Sequence, residues 1–199
     1  MVDHLIYALM WAGFGLGHSL LAAEAVKARL ARLFGPWYRL AYNLFSVLHL
    51  APVLAVGWWL LGDAGHFARP GWLAALQAGA ALFGGVVMVA ALFGYDLGRF
   101  AGTRPIRAHR AGIAEAADEP LRTGGLHRYV RHPIYAGALL FLWGRAVDPL
   151  SLATAVWAGL YLVIGMLHEE RGLLRRYGAD YARYRARVPA LVPWRGRAI

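Results

Sequence analysis

Cysteine is absent from all 199 residues, which excludes disulfides, thiolate metal sites and cysteine nucleophiles. Charge is scarce as well. Asp, Glu, Lys and Arg make up 16% of the chain, against about 25% in an ordinary soluble domain. That is too little polar surface to cover a water-facing globule. Lysine occurs once, as Lys27, so Arg supplies nearly all of the 21 basic residues behind the net charge of +10. What fills the chain instead is apolar, at 59% hydrophobic residues. A basic balance can signal nucleic acid. Here the arginines sit in the connections between apolar runs, which suits orientation in a bilayer and contact with anionic headgroups. Membrane lipids, and no nucleic acid, are the expected surroundings.

A span needs about 20 apolar residues. Leu5 to Ala23, Leu40 to Leu61 and Trp72 to Tyr95 qualify, and Ile134 to Ala146 and Leu150 to Leu167 follow. Val147, Asp148 and Pro149 alone separate the last two, so they read as a tight helical hairpin. The fourth run is short, reaching about 20 Å at 1.5 Å per residue. The expected fold is all-α: one polytopic membrane domain over 1–199 with about five transmembrane helices. Three spans lie within 1–95, a functional core lies within 121–194, and a cytoplasmic helix ends the chain. Five spans put 19 Lys and Arg residues on one side of the membrane and two, Arg69 and Arg145, on the other. The positive-inside rule then places the N-terminus outside and the C-terminus in the cytoplasm, in a bacterial inner membrane. The first run is not expected to be a cleaved leader, because Asp3 and no Lys or Arg precede it. Gly13-x-x-x-Gly17 and Gly94-x-x-x-Gly98 carry small residues at helix-packing spacing. An Ala-rich stretch, Ala111 to Ala117, is expected as a short surface helix or mobile segment.

Polar chemistry concentrates around the last two spans. The first block runs Gly124-Gly125-Leu126-His127-Arg128-Tyr129-Val130-Arg131-His132-Pro133-Ile134-Tyr135-Ala136-Gly137. Pro133 suits the first position of a helix, so free backbone N–H groups would meet Arg131 and His132 as an anion site. The plainer reading is anchoring in lipid headgroups. The second block, His168-Glu169-Glu170-Arg171, closes the fifth span. The helix dipole disfavours carboxylates there. Either neighbouring arginines neutralise them, or the pair grips a cationic or hydroxyl-rich ligand.

The string RHPIYAG (131–137), then HEERGLLRRYGADYARYRARVPALVP (168–193), resembles the shared C-terminal region of the isoprenylcysteine carboxyl methyltransferase and phospholipid N-methyltransferase superfamily. The likeness covers residues 121 to 194, and the order of its pieces is what makes it specific. Tyr95-Asp96-Leu97-Gly98-Arg99-Phe100 faintly resembles the methanethiol S-methyltransferase branch. The resemblance implies that S-adenosylmethionine is enclosed by Gly125, Tyr129, Arg131, His132, Pro133, Tyr135, Gly137, Glu169, Glu170 and Tyr181. Arg131 or His132 would take its carboxylate, Glu169 or Glu170 its ammonium or ribose hydroxyls, and Tyr135, Tyr129 or Tyr181 its adenine. Methyl transfer disperses the sulfonium charge, so a carboxylate is expected elsewhere on the cofactor. Rate should come from holding acceptor and methyl in line in a dry site. A neutral acceptor needs a base, with Glu170, His132 and His168 as candidates in that order. Replacing Glu170 by Gln is expected to weaken cofactor binding and leave the protein folded.

His18 and His49 fall within spans, and Asp96 beside one. Intramembrane ionisable groups point to function, so these three are candidates for tuning use of the acceptor. Interhelical hydrogen bonding to Ser19 or Asn43 is the plainer reading of the histidines. A haem between them is disfavoured by a depth difference of about 6 Å. A zinc on His127 and His132 lacks further ligands, so no metal is expected. The leading reading is thus a membrane methyltransferase acting on a small or lipophilic carboxylate, amine or thiol. A non-catalytic accessory protein and an NADPH-dependent reductase are the alternatives on related scaffolds.

Overall fold

A computed structural model of the chain describes residues 1–113 and 120–195. Among the described residues there are helices and no strand. In chain order they are α1 (Val2–Ala22), α2 (Glu24–Phe34), α3 (Tyr38–Leu61), α4 (Gly71–Leu92), α5 (Leu97–Ala101), α6 (Thr103–Arg110), α7 (Pro133–Gly144) and α8 (Pro149–Arg187). Single 3-10 turns lie at Gly35–Trp37 and Gly125–Arg128. Four stretches are long and apolar enough to cross a bilayer: Val2–Ala22, Glu24–Leu61, Gly71–Leu92 and Pro149–Arg187. α7 is apolar but only 12 residues long. Their outward faces carry bare hydrophobics, with Trp59 at the end of α3 80% exposed and Trp72 at the start of α4 70% exposed. Such surfaces need lipid to cover them, and tryptophans at span ends suit the membrane interface. Of the Ala-rich stretch, 111–113 form a turn after α6 and 114–117 lie outside the described residues.

The chain divides into two compact units. The first comprises Met1–Asp63 and Tyr95–Glu119. There α1 packs on α3. Tyr7, Trp11 and Phe14 fall at helical spacing on α1 and are buried in edge-to-face contacts 6.3 and 5.8 Å apart. Asp96 caps α5, accepting from the backbone N–H of Arg99 at 2.9 Å. Asn43 and Arg39 of α3 donate to the carbonyl of Phe100 at 3.0 and 3.3 Å.

The second unit comprises Ala64–Gly94 and Pro120–Ile199. α4 therefore groups with α7 and α8. α4 and α7 touch backbone to backbone. A Cβ on Gly137 would stand 2.7 Å from both Met88 N and Gly84 O. The small-residue contacts are thus Gly84 against Gly137 and Ala81 against Gly144. At the two motifs flagged by spacing, a Cβ on Gly13 would meet nothing within 4 Å, one on Gly17 would stand 2.8 Å from the His49 ring of α3, and Gly94 to Gly98 spans the gap between α4 and α5. α8 starts sharply because Pro149 occupies its first turn and Asp148 and Ser151 cap it reciprocally. The hairpin tip is strapped by Phe67 N–H donating to Val147 O (2.9 Å) and Gln77 Nε2 donating to Ala146 O (3.2 Å). α8 runs past the expected span end at Leu167 and breaks at Gly178 (φ 52, ψ −125). Only glycine adopts that conformation cheaply. Beyond the break the chain is helical again as far as Arg187.

Candidate active site

The break at Gly178 lets the chain fold back on the start of α7. Tyr181, Tyr184 and Val188 form a buried cluster against Leu121, Leu173 and Tyr177. The returning strap then pairs with the segment before Pro133: Arg131 N–H donates to Pro189 O (2.9 Å) and His132 N–H to Ala190 O (3.1 Å). Backbone geometry therefore fixes Arg131 and His132 at the mouth of α7.

Their side chains converge on Glu170. Arg131 Nε donates to Glu170 Oε1 at 2.8 Å, and Nη2 donates to the same oxygen. Nη1 of Arg131 reaches the carbonyls of Arg185 (3.2 Å) and Val188. His132 Nε2 lies 3.1 Å from Glu170 Oε1. The three side chains are 9%, 3% and 8% exposed in the order Arg131, His132, Glu170. Burial pushes the Glu170 carboxyl up, but hydrogen bonds and charge from Arg131, with His132, outweigh it and hold the group below the ordinary carboxylate range. Tyr181 sits against this pair, fully buried and without a well-formed hydrogen bond. Burial, and then the Glu170 charge, pushes its hydroxyl up to about 12.

Glu169 points the other way, 45% exposed, and accepts from Tyr135 O–H at 2.9 Å. His132 Nδ1 stands 4.0 Å from Glu169 Oε2, and the rings of His132 and Tyr135 meet edge to face at 5.5 Å. Arg131, His132, Tyr135, Glu169, Glu170 and Tyr181 thus form one cluster. Pro133 is buried and opens α7, while Gly137 is occupied by packing on α4. His168 is exposed on α8.

Gly125 and Tyr129 belong to an adjoining cleft of about 790 Å³, bounded by Ala90 and Ala91 of α4, by Gly94 just past its end, and by residues 121–129. Arg122 donates to the carbonyl of Gly94, tying this loop to α4. Tyr184 O–H donates to His127 O at 2.7 Å. His127 is buried, and desolvation, aided by Arg122, lowers its pKa. Arg122 and Arg185 entered the sequence reading as markers of the expected cytoplasmic side, and Arg128 and Tyr184 as members of the polar blocks, none with a role of its own.

The remaining candidates lie in the first unit. His18 meets Tyr42 O–H at 2.8 Å through Nε2, in place of the expected Ser19 or Asn43. His49 packs against the bare backbone of Gly17 and the ring of Phe14, 5.5 Å away, with Nδ1 buried and unpaired. Asp96 is engaged by the α5 cap and an ion pair with Arg104. The backbone N–H of Arg99, and then Arg104, holds its carboxyl below the ordinary range.

No family model matches the chain, and no solved structure does. Methanethiol S-methyltransferase 2 of Bradyrhizobium diazoefficiens is 31% identical over 192 residues, covering 95% of this chain and 73% of that protein. Methanethiol S-methyltransferase 1 of the same organism is 29% identical over 193 residues, covering 96% and 67%. Protein-S-isoprenylcysteine O-methyltransferase B of Arabidopsis thaliana is 32% identical over 90 residues, covering 43% and 46%.

Proposed function

The chain belongs to the isoprenylcysteine methyltransferase-like superfamily of integral membrane methyltransferases, near its methanethiol S-methyltransferase branch, and from that membership we propose that it uses S-adenosylmethionine to methylate a small thiol. The observation that carries the reading is similarity over nearly the whole chain to enzymes named for that acceptor.

The donor set suits the cofactor. It is zwitterionic at one end and an aromatic nucleoside at the other. The second unit offers an exposed carboxylate at Glu169, a phenol at Tyr135, an exposed ring at Tyr129, and cations along the loop before α7. A cleft of about 790 Å³ is within the range of small-molecule sites. Bound S-adenosylmethionine supplies an electrophilic methyl carbon on a sulfonium. Glu169 is read as the partner of its ammonium or ribose hydroxyls, and Tyr129 as a surface for its adenine. Glu170 orients His132: a carboxylate facing Nε2 favours the tautomer with the proton there, leaving Nδ1 as an acceptor. A thiol must lose its proton to become a good nucleophile, and His132 is the better base of the two. A carboxylate held below its ordinary pKa by a buried guanidinium takes a proton less readily.

The test is binding and turnover of the protein purified in detergent. Calorimetry should show S-adenosylhomocysteine binding and no NADPH binding. Methanethiol with S-adenosylmethionine should release dimethyl sulfide into the headspace. NADPH binding without S-adenosylhomocysteine binding would replace this reading with a reductase, and binding of neither with an accessory scaffold.

A further inference from the structure

The reading above leaves open which cation meets the anionic end of the cofactor, and the resemblance implies Arg131 or His132. The hydrogen bonds of Arg131 argue against Arg131. Its guanidinium carries five N–H donors in one plane. Nε and Nη2 are committed to Glu170, and Nη1 to the carbonyls of Arg185 and Val188. Its charge is already met by a carboxylate as buried as itself. An anionic ligand at Arg131 would have to displace Glu170, or undo the strap that covers the base of α7.

Arg128 is in the opposite condition. It is exposed, lines the 790 Å³ cleft, and has no hydrogen bond or ion pair among the described residues. Its flanks are fixed. The carbonyl of the preceding His127 is held by Tyr184, and Arg122 ties the loop to the end of α4. The cleft is apolar at Ala90, Ala91 and Leu126 and cationic at Arg128, which suits an amphipathic anion. A planar guanidinium on an anchored loop matches a carboxylate.

We propose that Arg128 receives the carboxylate of the cofactor, and that Arg131 is a positioning residue that latches the C-terminal strap over Glu170 without touching the cofactor. This assignment rests on the S-adenosylmethionine reading.

The test compares two ligands by calorimetry in detergent: S-adenosylhomocysteine, and its decarboxylated analogue, which keeps the amine. Arg128→Gln should weaken S-adenosylhomocysteine about ten- to a hundredfold, as loss of a charged hydrogen bond would, and leave the analogue unchanged. Arg131→Lys keeps the charge but loses the fork, and should weaken both ligands by the same factor while lowering Tm. The assignment is overturned if Arg128→Gln weakens both ligands alike or neither. It is equally overturned if Arg131→Lys weakens S-adenosylhomocysteine and spares the analogue. Wild-type protein that binds neither ligand overturns the parent reading, and this assignment with it; wild-type binding with no selectivity in Arg128→Gln overturns this assignment alone.

Discussion

Glu169 and Glu170 are adjacent in sequence and opposite in circumstance. One residue of helix rotates a side chain by about 100°, which turns Glu170 inward to Arg131 and His132 and leaves Glu169 in the open with Tyr135. The sequence showed that this block and the RHPIYAG block carry the chemistry. It could not show which carboxylate is buried, because that depends on where α8 breaks and where Arg131 returns to meet it. Glu170→Gln therefore changes meaning. On sequence alone it is a change in cofactor affinity with the fold intact. With Arg131 buried against it, the substitution leaves a guanidinium without its counter-charge, and a loss of about 3 kcal/mol is expected, the low end for a broken buried pair because the amide oxygen still accepts a hydrogen bond. A lowered Tm without ligand checks this; an unchanged Tm rules it out. The pair also has a pH signature. The folded pKa of Glu170 lies below its unfolded value. Its contribution is fully present above the ordinary carboxylate range and disappears as pH falls through the folded value. Acid should narrow the Tm gap between wild type and Glu170→Gln.

Among the elements, the long apolar helices were legible and their contacts were not. Composition sets where α1, α3 and α4 lie, since nothing but a span accommodates some 20 apolar residues in a row. Packing depends on pairs far apart in the chain. Neither Gly84 nor Gly137 has a second glycine four residues away, so neither stood out, whereas Gly13 had that spacing and faces open space. Gly137→Ala should cost about 1–3 kcal/mol by forcing α7 off α4. Gly13→Ala should be neutral or stabilising, as Ala favours helix over Gly. Equal Tm values for the two would show that the close approach of α4 and α7 is not what holds the second unit. The break in α8 makes a separate prediction. At φ 52 and ψ −125 an L-residue is strained by about 1–3 kcal/mol, so Gly178→Ala should straighten α8 and release the strap from Arg131. Limited proteolysis between Ala179 and Ala190 should speed up. Protection equal to wild type would mean that the strap closes without the break.

At the scale of the whole molecule, the difficulty is α7. Twelve residues rise about 18 Å, well short of a hydrocarbon core of about 30 Å. Its neighbours nevertheless carry the chain from one end of the second unit to the other. After α7, Ala146 and Val147 bond to Gln77, near the start of α4, and to Phe67 before it. Ahead of α7, Arg122 bonds to Gly94, just past the end of α4. The loop around Phe67 and the hairpin tip therefore share one face, and residues 121–129 belong to the other. A crossing by α7 would need α4 to cover the full depth beside it and the polar loop before Pro133 to fill the remainder. The expected count is then five crossings, and in the second unit Arg69 and Arg145 should lie on the opposite side of the membrane from the loop before α7. The missing cysteines make this testable without background. Single substitutions Gly65→Cys and Arg145→Cys should react with a membrane-impermeant maleimide on intact cells. Gly112→Cys and Arg195→Cys should react only after permeabilisation. Labelling of Arg145→Cys from the same side as Arg195→Cys would mean that α7 is a re-entrant segment rather than a span. The cleft at Arg128 and the tip at Arg145 would then open to the same side of the membrane, and the count would fall to the four long stretches.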